Sequence, residues 1–95
     1  MTNQTSDYRA IPNSEAAASV HEDGMVILQT NSGRLFSSNR TGASIWRGIE
    51  QSLSIDAIAQ QLSSEYRVDR PVAKEHAELF LNELERNNLI ERRHE

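Results

Sequence analysis

The spacing of apolar residues changes once along the chain, and the change divides it in two. Between Ser19 and Ser38 they fall in short runs separated by turn formers. Ser19-Val20-His21 reads as a short strand and Glu22-Asp23-Gly24 as a tight turn, because Asp-Gly tolerates positive φ. Residues 25–30, MVILQT, are rich in β-formers; Asn31-Ser32-Gly33 is a second turn, and Arg34 to Ser38 a third strand. Tight loops between short strands predict an antiparallel meander.

Beyond Ser38 the spacing becomes helical. Thr41 can cap a first helix, whose stripe is Ile45, Trp46, Ile49 and Leu53. Ser54 can cap a second, with Ile55, Ile58, Ala59, Leu62 and Tyr66 on one face. Asp69 and Pro71 introduce a third, where a proline in the first turn loses no hydrogen bond. Ala73, Ala77, Phe80, Leu81 and Leu84 form its stripe, and Asn88 stands where a left-handed residue is expected. Leu89-Ile90 can then fold back onto the core. Strands first and helices afterwards predict an α+β fold: an N-terminal three-stranded antiparallel sheet followed by three α-helices, winged helix-turn-helix-like in arrangement. Residues 1–16 are polar with no apolar period and are expected to be a flexible arm; 17–92 form the domain and 93–95 a charged tail.

Composition narrows the chemistry. Ninety-five residues give one small domain. With no cysteine there is no disulfide, thiolate zinc site or cysteine nucleophile. No apolar stretch approaches the length of a membrane span and the first residues lack the pattern of a signal peptide, so the expected compartment is the cytoplasm. The histidines, at 21, 76 and 94, have no partner at metal-ligand spacing, and no phosphate-binding glycine motif occurs; no catalytic residue, metal or cofactor is expected. The acids of the third helix read as a solvated face with pairs such as Lys74–Glu78.

Two binding modes fit such a domain. Reading DNA with the third helix conflicts with its charge: between Pro71 and Asn88, Lys74 and Arg86 stand against Glu75, Glu78, Glu83 and Glu85, and the whole chain carries −4. The alternative is β-augmentation. The third strand of a meander lies at a sheet edge, whose unpaired backbone groups can take an extended peptide as a further strand. Arg34, Arg40 and Arg47, in a stretch without acids, would steer a peptide carrying its own.

Three segments, ILQTNSGRLFSSNRTGASIW, IDAIAQQLSSEYRVD and FLNELERNNLIE, resemble the PqqD-like family. Gly33, Phe36, Asn39, Thr41, Gly42, Ile45, Trp46, Ile58, Leu62, Tyr66, Phe80, Leu81, Leu84 and Leu89 match its pattern, from about Val20 to Glu91. Ser38, Leu35 and Asn88 depart from it, standing where the family usually has leucine, an aromatic residue and glycine. The resemblance implies a recognition element for ribosomally synthesised, post-translationally modified peptides. Such a domain is non-catalytic, binds the leader segment of a precursor as a strand beside the third strand and against the third helix, and presents it to a modifying enzyme. Stand-alone domains of this size resemble the leader-binding proteins of lasso peptide clusters, which work with a leader peptidase and a cyclase. The alternatives are a PqqD-type peptide chaperone for a radical SAM enzyme and a winged-helix DNA-binding regulator. Neither nucleic acid nor membrane is an expected partner. The candidate peptide-binding residues are Arg34, Leu35, Phe36, Ser37 and Ser38 on the strand, and Lys74, Ala77, Glu78, Leu81 and Glu85 on the third helix; Phe80 and Leu84 are expected in the core.

Overall fold

The computed structural model describes residues 8–93. Along the chain run β1 (Arg9–Pro12), β2 (Ala16–Val20), β3 (Gly24–Gln29), β4 (Arg34–Asn39), α1 (Arg40–Glu50), α2 (Ile55–Tyr66), α3 (Arg70–Arg86) and β5 (Ile90–Arg93). This is an α+β protein with two antiparallel sheets, one of order β2-β3-β4 and one pairing β1 with β5. The meander and the three helices are those expected. The second sheet is not.

That second sheet corrects the expected arm and tail. Ala10 pairs with Arg92 and Pro12 with Ile90. Tyr8 and Ala10 are buried, and the Tyr8 carbonyl accepts from Ile55 N–H at 2.8 Å. Residues 8–12 therefore strap the chain's end to the head of α2, and Ala16 already begins the meander. Arg93 belongs to β5, not to a tail. The remaining parts of the expected arm and tail, 1–7 and 94–95, lie outside the described residues. Pairing between residues some eighty positions apart leaves no local period to read in a strand as short as RAIP.

Helix ends follow their caps. α1 starts two residues earlier than Thr41 would set it: Asn39 is the N-cap, its side-chain oxygen accepting from Gly42 N–H at 3.1 Å. Ser54 caps α2 as expected, through Ala57 N–H at 3.2 Å. Asp69 occupies the N-cap position of α3 but makes no side-chain capping bond there. Asn88 is left-handed, φ 61°, after the end of α3.

The core joins both layers. Met25 and Ile27 of β3, Ile45, Trp46 and Ile49 of α1, Ile55, Ile58 and Leu62 of α2, and Ala77, Leu81 and Leu84 of α3 are all buried, closed off by Leu89 and Ile90. Gly48 explains how α1 and α2 approach: a Cβ there would stand 2.8 Å from Ile58 Cγ1, so alanine would force the helices apart despite its better helix propensity.

Candidate functional site

β4 is an edge strand, with β3 on one side and no strand on the other among the described residues. Its register decides which backbone groups are free. In an antiparallel ladder the polar groups of successive residues point to alternate neighbours. His21 N–H donates to Gly24 O, and Thr30 N–H to Glu15 O, each at 2.8 Å, so the even-numbered residues of β3 bond towards β2. Met25, Ile27 and Gln29 therefore bond towards β4, where they face Ser38, Phe36 and Arg34. The N–H and C=O of Leu35 and Ser37 are left pointing at the open edge.

Side chains alternate in the same way. Phe36 and Ser38 turn inward and are half-buried; Leu35, 70% exposed, and Ser37 turn outward. Phe36 meets Phe80 of α3 in a tilted contact, ring centroids 6.2 Å apart. Ser38 is where the departure from leucine gains a reason: a Cβ at Gly42 would collide with the Ser38 side chain and lie 2.9 Å from Phe80 Cζ. Small residues at 38 and 42 let the start of α1 close against both β4 and α3.

Two clefts adjoin α3, and one of them reaches Phe36. One, about 160 Å³, is lined by Gln29, Arg34, Leu35, Phe36, Glu83, Asn87 and Leu89, and Gln29 Nε2 donates to Asn87 O across it at 3.1 Å. The other, about 220 Å³ and mainly apolar, is lined by Thr41, Leu62, Tyr66, Val68, Ala73 and His76. Each is smaller than the roughly 300–1,000 Å³ that encloses a drug-sized molecule, and suits one or two side chains of an extended chain.

The residues proposed on α3 do not line this groove. Ala77 and Leu81 are in the core, at 0% and 1% exposure. Lys74 pairs with Asp56 of α2 at 2.8 Å. Glu85 accepts from Arg92 Nε at 2.9 Å. Arg92 also donates to Tyr8 Oη at 2.7 Å and to Asn82 Oδ1, with its guanidinium 4.8 Å from the centre of the Tyr8 ring. Burial pushes the Tyr8 phenol above its usual pKa; Arg92 opposes the rise, while Glu78 and Glu85 add to it. Lys74, Glu78 and Glu85 thus occupy the flank of α3 that faces α2 and the β1–β5 sheet.

The opposite flank faces β4. It carries Phe80 and, at helical spacing beside it, Val72, His76, Leu79, Glu83 and Asn87. Val72 is 40% and Leu79 60% exposed. Sequence reasoning missed these residues, although two apolar residues seven apart and off the core stripe were a usable sign of a second apolar contact. The three arginines do not make one field either. Arg34 lies at the start of β4 and Arg40 just past its end, while Arg47 reaches away to donate to His21 O at 3.1 Å.

Among the described residues no group of three His, Cys, Asp or Glu could hold a metal ion, and no helix is long and apolar enough to cross a membrane. The family model described as coenzyme PQQ synthesis protein D matches residues 24–90. The chain belongs to the PqqD family. No curated protein matches it significantly by sequence. Two solved structures share its fold. TbiB1, in complex with the TbiA(beta) leader peptide, is 26% identical, with TM-score 0.80 over 85% of this chain and 94% of that one. Lasso peptide synthetase B1, complexed with the leader peptide, is 28% identical, with TM-score 0.80 over 87% of this chain and 98% of that one. The PqqD match begins at β3 and ends at β5, so it contains the open edge and both flanks of α3.

Proposed function

We propose that this PqqD-family protein binds the leader segment of a ribosomally synthesised precursor peptide and delivers it to processing enzymes, without catalysis of its own. The observation that carries the reading is the free edge at Leu35 and Ser37, set beside an open, partly apolar flank of α3. An extended leader would add to β4 through these backbone groups, and a side chain of it would enter the cleft between Phe36 and Glu83. Backbone bonds would supply affinity for any extended chain, and the cleft would supply preference. Both solved neighbours are leader-peptide complexes by their descriptions, which favours a lasso peptide pathway with its leader peptidase and cyclase. The family model's own description favours a second reading, a peptide chaperone for a radical SAM enzyme of cofactor synthesis; the binding site would be the same.

The winged-helix likeness belongs to this reading as a matter of shape, with β2–β4 placed as the wing and α3 in the recognition position. The open flank of α3 offers Val72, Leu79 and Phe80 with Glu83 to a partner, a surface for a peptide and not for phosphates. The working compartment is the cytoplasm, where precursor peptides are made.

Ser37→Pro tests the reading. The Ser37 N–H points away from β3, so proline removes no ladder bond of the free protein and leaves it folded. Leader titration by fluorescence anisotropy should show binding at least about thirtyfold weaker, from a lost hydrogen bond and a blocked edge. Unchanged affinity in a folded Ser37→Pro protein would place the leader elsewhere.

A further inference from the structure

The β2-β3-β4 sheet has a second open edge, at β2. Glu15 and His21 bond towards β3, so the odd-numbered residues of β2 are spent on that ladder. The N–H and C=O of Ala18 and Val20 point the other way, where no strand lies among the described residues. Ala16 N–H turns back to Asn13 O at 3.0 Å, and its carbonyl faces outward with theirs. Folded proteins guard such an edge with a charge, a proline or a bulge. β2, AAASV, carries neither charge nor proline, and its pairing with β3 runs unbroken from Ala16 to Val20.

We propose that β2 pairs with β2 of a second copy of this chain, antiparallel about a two-fold axis at Ala18. The strand is complementary to itself. With Ala18 opposite the partner's Ala18, Ala16 meets the partner's Val20 and Ala17 the partner's Ser19, and the outward backbone groups face each other. The same register sets Glu15 opposite the partner's His21, twice, in pairs without mutual backbone bonds, where side chains stand closest. Both residues are exposed, and Glu15 Oε1 accepts from Thr30 Oγ1 at 2.7 Å, which leaves Oε2 for the imidazole. A slide of two residues one way would set Glu15 against the partner's Asp23; the other way would carry Val20 out to the partner's Ser14, beyond the strand. The charged residues of 13–47 also match at each end of the joined sheet. Glu15 of one copy, with Glu22 and Asp23 of the other, shares that end with Arg34 of the first copy and Arg40 of the second, and Arg47 of the second donates to His21 O there. The joined sheet has a β4 edge at each side, so the pairing blocks neither peptide site and stands apart from the reading of β4 given above.

The test is sedimentation velocity of the full chain over a range of concentrations, with assigned amide spectra of the same protein. A contact one short strand long is at the small end of specific interfaces, so the chain should be monomeric at about 1 μM and mostly dimeric at about 1 mM. Between dilute and concentrated samples the amide signals of Ala18 and Val20 should move, and those of Leu35 and Ser37 should not. Ala18→Pro removes the donor at the two-fold axis without touching the β3 ladder, and should stay monomeric at about 1 mM. His21→Glu, at an exposed position, sets like charges against each other and should weaken the dimer about tenfold; adding Glu15→Lys restores opposite charges and should bring affinity back to within about threefold. Ser37→Pro should dimerise as the unaltered chain does. A monomer at about 1 mM, a folded Ala18→Pro chain that still dimerises, or unchanged dimerisation of His21→Glu would overturn the proposal. Association that Ser37→Pro abolishes would give the contact to β4, and growth beyond two copies would give it to β2 against β4; either would overturn it equally.

Discussion

The two flanks of α3 begin with similar materials and end differently. On one, Lys74 pairs with Asp56 and Glu85 with Arg92, so that α2 and the sheet formed from the ends of the domain occupy their charges, and Glu78 acts on the Tyr8 phenol through its field. On the other, Val72 and Leu79 are exposed and Phe80 is only partly covered by Phe36. Polar residues beside a core stripe therefore do not mark a binding groove, because a neighbouring element can use them up. Apolar residues left uncovered beside an open strand are the better sign.

The largest effect that would separate the flanks is expected from Phe80→Ala. It removes the ring that backs Phe36 beside the Gln29–Leu89 cleft, and leader affinity should fall by a factor of about thirty or more, read by calorimetric titration. The side chain is only partly buried, so stability should drop by about 1–3 kcal/mol, less than for a fully buried phenylalanine. Equal leader affinity in a folded Phe80→Ala protein would break the assignment of the open flank.

Arg92→Ala should do the reverse. It unties Tyr8, Asn82 and Glu85 at once and should cost about 1–3 kcal/mol in chemical denaturation, with leader affinity within about twofold. A large loss of affinity with little loss of stability would mean that the β1–β5 flank is the site after all.

The smallest effect is on the pH dependence of stability. Tyr8 has a folded pKa raised chiefly by burial, so folding favours its neutral form. The resulting stability is fully present below the ordinary tyrosine value of about 10 and is lost as pH rises through the higher folded value. Denaturation midpoints between about pH 9 and 11 should fall with rising pH, and Tyr8→Phe, which has nothing to ionise, should fall less. An identical slope for both proteins would remove Tyr8 from this account of the closed flank.

Most of the helical layer and the meander were legible in the sequence because their signals are local. Apolar spacing fixed the stripes of α1, α2 and α3, Ser54 marked the start of α2, and Asn88 its left-handed place. The β4 edge was legible for the same reason: a third strand in a meander has one neighbour. The second sheet was not, since RAIP finds its partner only when the chain's ends meet. With that sheet unseen, the polar stripe at 74, 78 and 85 had no visible partner and was assigned to the groove, and the spacing of Val72 and Leu79 was the one sign of the other flank. Phe80 was assigned to the core because it continues the apolar stripe; its half-exposed position depends on Ser38 and Gly42 bringing α1, β4 and α3 together at one point.

Amide hydrogen exchange with and without bound leader locates the strand that takes the peptide. The amides of Leu35 and Ser37 should become protected on binding, because they are the donors left free by the β3–β4 register. The outward amides of Ala18 and Val20, on the sheet's other edge at β2, should exchange as before. Protection at Ala18 and Val20 with none at Leu35 and Ser37 would contradict the β4 site.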